Sequence, residues 1–140
     1  MHSAPEDSTV PRVAVIGGGP AGLMVAETLA TSGAAVDLYD AMASVGRKFL
    51  LAGKGGLNLT HSEELPQFTA RFAERALEVA TWLREFSPEA LRDWAATLGV
   101  ATFVGSSGRV FPTDMKAAPL LRAWLHRLRG QGVRFHMRHR

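Results

Sequence analysis

A buried strand, a glycine turn and a helix, followed at once by a second strand, predict an α/β fold that opens with a parallel βαβ unit. Three observations carry this. Val13-Ala14-Val15-Ile16 is a short apolar run rich in β-branched residues, the composition of a buried strand. Gly17, Gly19 and Gly22 follow with G-x-G-x-x-G spacing, and an alanine-rich segment of helical period comes next. Residues 34–39, rich in Val, Leu and Tyr, then read as a second strand, and a right-handed crossover makes the two strands parallel neighbours.

Strand one is expected over Arg12–Ile16 and the first helix over Pro20–Thr31, with Pro20 in the first turn and Leu23, Val25, Ala26, Leu29 and Ala30 on its apolar face. Gly33 is placed to end it. In the turn, Gly17 allows the tight strand-to-helix reversal, Gly19 lets a pyrophosphate approach the backbone, and Gly22 lets helix and strand pack closely. The exposed N–H groups and positive dipole end at the helix start favour an anion. Asp40 ends strand two, eighteen residues past Gly22 (40 − 22), where a carboxylate can accept both hydroxyls of a ribose. The plainer alternative is a turn-forming Asp. A carboxylate there also argues against a 2′-phosphate, and so against NADP at this first site.

Residues 46–60 combine Arg47 and Lys48, four glycines (Gly46, Gly53, Gly55 and Gly56), and apolar anchors. This is no Walker loop, because six residues separate Gly46 from Gly53-Lys54 and Gly55 stands where Ser or Thr is required. Either a glycine hinge with solvated cations or a phosphate-facing loop fits that composition. Pro66 is expected to break the chain, and one amphipathic helix over 68–86 follows, its apolar face widened by Trp82. Ser87 and Pro88 start another helix with the stripe Leu91, Trp94, Ala95 and Leu98, ended by Gly99. The aromatic residues of these helices read as core. Segments 100–104 and 109–111 form a hairpin across Gly105-Ser106-Ser107-Gly108. A last helix with Leu120, Leu121, Trp124, Leu125 and Leu128 inward tolerates Pro119 only in its first turn, and a new strand opens near Val133.

At 140 residues, with 46% hydrophobic and 21% charged residues, the chain has the size and composition of one globular domain. Residues 1–10 are expected to form a flexible tail and 11–140 a partial nucleotide-binding domain. From Lys116 onward there are seven basic and no acidic residues, against nine basic and thirteen acidic before it. A solvated helix face is favoured over nucleic-acid binding, since no basic–aromatic interleaving accompanies the charge. With no cysteine, disulfides and thiolate chemistry are excluded. His136 and His139, in an extended segment, make a poor metal site. The polar start, with Glu6 and Asp7, and the lack of a long apolar run lead to an expectation of a cytoplasmic protein that does not enter membranes.

Three blocks, the 13–22 turn, the 46–60 loop and Gly108-Arg109-Val110-Phe111-Pro112 with the helix and Gly132-Val133 after it, together resemble the N-terminal part of the YhiN/BaiN-like family of FAD-binding flavoproteins. These are NAD(P)/FAD-dependent oxidoreductases. The resemblance runs from Arg12 to the last residue and implies a Rossmann-like FAD-binding fold. It implies that the turn Gly17, Gly18, Gly19, Pro20, Ala21 and Gly22 holds the FAD pyrophosphate and Asp40 the adenosine ribose. Gly46, Arg47 and Lys48, and the loop to Asn58 and Thr60, would lie along the cofactor, with Arg109–Pro112 bordering the substrate side. The resemblance implies FAD as the cofactor and leaves NAD(P)H as one candidate electron donor. Where the family often has Gly-Arg-Cys-Asn, this chain has Gly55-Gly56-Leu57-Asn58, so no role of that Arg or Cys carries over. Family members also carry a later Gly-Asp segment and a substrate-covering domain. The chain is therefore expected to be truncated, serving as the ADP-anchoring part of an oxidoreductase or, alternatively, as a non-catalytic nucleotide-binding module.

Overall fold

The structure is a computed structural model that describes residues 9–140, so the tail expected over 1–10 falls almost wholly outside the described residues. The elements run β1 (Arg12–Ile16), α1 (Pro20–Thr31), β2 (Ala35–Asp40), α2 (Arg47–Ala52), β3 (Thr60–His61) and α3 (Leu65–Ala70). A 3₁₀ turn (Ala73–Arg75) leads to α4 (Ala76–Glu85), α5 (Pro88–Thr97), β4 (Thr102–Val104), β5 (Arg109–Pro112), α6 (Ala117–Gly130) and β6 (Arg134–Met137). The chain divides into two compact units, one of residues up to Lys48 with Leu125–Arg140, the other Phe49–Trp124.

The first unit is built on a parallel sheet in the order β1-β2-β6. Arg12 to Ile16 pair with Ala35 to Tyr39, and Asp37 to Asp40 pair with Arg134 to Met137. The βαβ expectation holds, with α1 at the predicted bounds. Its Leu23 and Ala26 are fully buried, as are Val36 and Leu38 of the central strand. Gly33 takes a left-handed φ of 92° just past the end of α1, as a helix stop requires. Glu27, also buried, is held by Arg127 at 2.9 Å.

The second unit contains an antiparallel sheet in the order β3-β5-β4. The hairpin is where the sequence places it, closed by Gly105 N donating to Arg109 O (2.8 Å) with Gly108 at a φ of 79°. Val110, Ala95, Leu120 and Trp124 form the buried centre, with Trp94 and Trp124 edge-to-face at 4.7 Å. Pro119 lies in the first turn of α6, where its missing N–H costs nothing.

Three expectations are corrected here. The single helix over 68–86 is broken into α3, the 3₁₀ turn and α4, because Ala73 adopts a left-handed φ of 47° that no α-helix accommodates. Pro66 does not break the chain but sits in the first turn of α3. Trp82, expected in the core, is 67% exposed, and Phe72 and Phe86 are also exposed. The 46–60 loop contains α2 and then a glycine turn in which Gly53 packs on Ala117. Among the described residues no helix is long and apolar enough to cross a membrane.

Candidate functional site

The site grows from the C-terminal ends of β1 and β2. Gly17 leaves β1 with a φ of 102°, a conformation open to glycine, and its N–H donates to Tyr39 O at 2.8 Å, tying the turn to β2. The Gly18 N–H donates to Asp40 Oδ2 at 2.7 Å, and its carbonyl accepts from Gly46 N at 2.8 Å. A Cβ on Gly18 would overlap the buried Val45 side chain, and one on Gly22 would overlap the carbonyl oxygen of Gly17. These two glycines are therefore required by the protein's own packing. Gly19 is different: a Cβ there meets nothing within 4 Å, and its extended backbone suits any residue.

Gly19 is the N-cap of α1 and Pro20 its first residue, with no side-chain cap and no acidic residue in the first turn. The helix therefore presents its positive end without an acceptor of its own. A cleft of about 260 Å³ lies over it, lined by Gly17, Gly18, Gly19, Pro20, Asp40, Met42, Ser44, Gly46, Arg47 and Lys48. Arg47 and Lys48 are exposed and line the same cleft as the Asp40 carboxylate. Such a cleft suits a polyanion: backbone N–H groups and a dipole end on one side, a forked and a point cation on the other.

Asp40 stands between this cleft and a second hollow of about 500 Å³, lined by Ile16, Gly17, Tyr39, Asp40, Ala41, His139 and Arg140. Its Oδ1 accepts from Met42 N at 2.7 Å and its Oδ2 from Gly18 N. Each carboxylate oxygen keeps a further lone pair, so the group can hold the glycine turn and accept hydroxyls together.

Of the residues singled out in the sequence, Gly17, Gly18, Gly19, Pro20, Asp40, Gly46, Arg47 and Lys48 line one cleft. Ala21 and Gly22 lie in the first turn of α1. Asn58 and Thr60 belong to the other unit. There the Asn58 amide, with its nitrogen toward the strands, donates to Thr60 O (2.8 Å) and Val110 O (3.3 Å). Thr60 pairs with Val110 in the antiparallel sheet. Both thus serve the local β-structure. Sequence reasoning missed Met42 and Ser44, which follow Asp40 in an irregular segment without a motif. It also missed Asp37, a buried carboxylate inside an apolar strand.

His136 and His139 both pack against β2. His136 Nε2 lies 2.8 Å from Asp37 Oδ1, and both rings contact Tyr39. Among the described residues there is no group of three or more His, Cys, Asp or Glu that could hold a metal. Asp37 is kept far below the usual carboxylate range by hydrogen bonds from His136 and Arg134, which outweigh its desolvation, with Arg12 adding to them.

A parallel βαβ start, an α1 packed through Gly22 and a glycine turn at the strand ends define a Rossmann domain. Residues 11–140 match the HI0933-like protein Rossmann domain, and the chain belongs to that family, the YhiN/BaiN group its motifs resemble. Among solved structures, the crystal structure of Thermovibrio ammonificans THI4 is similar with a TM-score of 0.56 at 18% identity, over 91% of this chain and 38% of that one. Glycine oxidase from Bacillus cereus matches with a TM-score of 0.44 at 20% identity, over 92% of this chain and 46% of that one. The chain thus spans less than half the length of either structure. Comparison with curated proteins returns no match.

Proposed function

We propose that residues 11–140 are the FAD-binding Rossmann domain of an NAD(P)/FAD-dependent oxidoreductase and that the cleft over α1 holds the ADP half of FAD. The observation that carries this reading is Gly19. Nothing in the protein fills the space beside it, yet it caps a helix start that lacks an acceptor and faces Arg47 and Lys48. The pyrophosphate would lie against the backbone of Gly17 to Gly19, with Arg47 and Lys48 balancing its charge. Asp40 would accept from the ribose hydroxyls, and the hollow on its other side would take the base. Bound there, FAD supplies the hydride chemistry, while the chain's contribution is anchoring and orientation.

Calorimetric titration of the purified chain with ADP and with FAD tests the assignment. Binding of both is expected, with FAD the tighter ligand where contacts extend beyond the ADP half. Equal affinity for the two would favour a purely ADP-binding module, and absence of binding to either removes the assignment.

A further inference from the structure

We propose that His136, held in place by the buried carboxylate of Asp37, is a positioning residue that fixes the Tyr39 ring as a wall of the hollow beside Asp40. The proposal rests on the nucleotide reading above and names what shapes the base end of that site. It starts from sheet register. Across β1, β2 and β6, Ile16, Tyr39 and His136 are partners in one row, and Ala14, Asp37 and Arg134 in the row before it. Side chains alternate along strands, so these rows share a face, while Val13, Val15, Val36 and Leu38 share the other. Parallel sheets are usually apolar on both faces. Here one face carries an acid whose side chain is only 10% exposed.

A buried charge must find partners, and Asp37 has three: Arg134 at 2.7 Å, His136 at 2.8 Å and Arg12 at 3.3 Å. Both arginines are largely exposed and reach in from the rim. The histidine is the partner whose ring does a second thing. With Nε2 committed to Asp37, its plane is set, and it lies stacked on Tyr39 at 4.5 Å between centroids and 15° between planes. His139 meets both rings edge-on, at 5.5 Å from Tyr39 and 5.9 Å from His136. Tyr39 and His139 line the hollow, and His136 is stacked on Tyr39 without being a lining residue itself. The Tyr39 carbonyl meanwhile receives the Gly17 N–H, so the same residue touches the phosphate turn through its backbone. Because the ring is clamped before any ligand arrives, its rotamer freedom need not be given up on binding.

Two substitutions separate the ring from the hydrogen bond. His136→Gln keeps an N–H for Asp37 and removes the ring, whereas His136→Phe keeps a ring to stack and removes the donor. The purified chain and both variants are titrated calorimetrically with ADP and, separately, with inorganic pyrophosphate, and melted to monitor folding. Expected is a loss of ADP affinity of about three- to tenfold in His136→Gln, the range one aromatic pair is worth. Pyrophosphate affinity should be unchanged, and His136→Phe, which keeps the stack on Tyr39 but not the bond to Asp37 that sets the ring plane, should recover only part of the lost ADP affinity. Unchanged ADP affinity in His136→Gln overturns the proposal. So does an equal loss for ADP and pyrophosphate, which is the mark of a merely structural role. A wild type that binds pyrophosphate but not ADP overturns it too and leaves the phosphate cleft standing, whereas a wild type that binds neither overturns the nucleotide reading itself.

Discussion

Gly19 and Gly22 are three residues apart and carry opposite kinds of constraint. At Gly22 the obstacle is the backbone: an added methyl would overlap the Gly17 carbonyl, and neither strand nor helix can yield without disturbing β1 or α1. Gly22→Ala should therefore lower folding stability by about 1–3 kcal/mol, the usual scale of overpacking, read as a shifted urea midpoint. Gly19 has open space and an ordinary backbone. Gly19→Val should cost at most about 1 kcal/mol of stability, as a poorer N-cap, while abolishing ADP binding by filling the space a pyrophosphate needs. The contrast is the informative result. If Gly19→Val binds ADP as tightly as wild type, the glycine turn is a packing device and not a phosphate seat.

Helix boundaries in this chain follow local chemistry where that chemistry is present. Ser87 Oγ accepts from Ala90 N at 3.1 Å, Pro88 occupies the first turn and Glu89 sits near the positive dipole end of α5. Ser87→Ala should cost about 1 kcal/mol and Ser87→Gly only a few tenths, measurable by urea unfolding of the two variants side by side. Signals of this kind made α1, α5, α6, β1, β2 and the hairpin legible in the sequence. The break at Ala73 was not, since neither Gly nor Pro marks it and the apolar period runs on through it. The two-residue strand β3 was equally hidden, because pairing with β5 almost fifty residues later creates it. The candidate site divides the same way. Glycine spacing and the end of β2 exposed Gly17 to Gly22 and Asp40, whereas Asp37 looked like one polar interruption of a strand. Its partners Arg134 and His136 lie 97 and 99 residues away, and only the placement of β6 beside β2 brings them to it.

On the scale of the whole chain, that placement also explains where part of the charge asymmetry goes. Two of the seven basic residues after position 115 are spent on acids of the first forty: Arg127 on Glu27 and Arg134 on Asp37. The consequence is a pH dependence with a definite sign. Folding holds the Asp37 carboxyl well below its ordinary range, chiefly through His136 and Arg134, so the folded protein refuses a proton that the unfolded chain accepts. Where the unfolded state binds more protons, stability rises with pH. The contribution of Asp37 is therefore complete above an unfolded carboxylate pKa of about 3.9 and is lost progressively as pH falls from there toward the folded value. Asp37→Asn should accordingly be less stable than wild type near neutrality, and the gap between their melting temperatures should narrow steadily on acidification below about pH 5. Arg12 and Arg134 are 71% and 56% exposed, so added salt should shrink part of the gap at neutral pH. A gap that stays constant from neutral to acidic pH would mean that the ionised carboxylate is not what joins β1, β2 and β6 on this face.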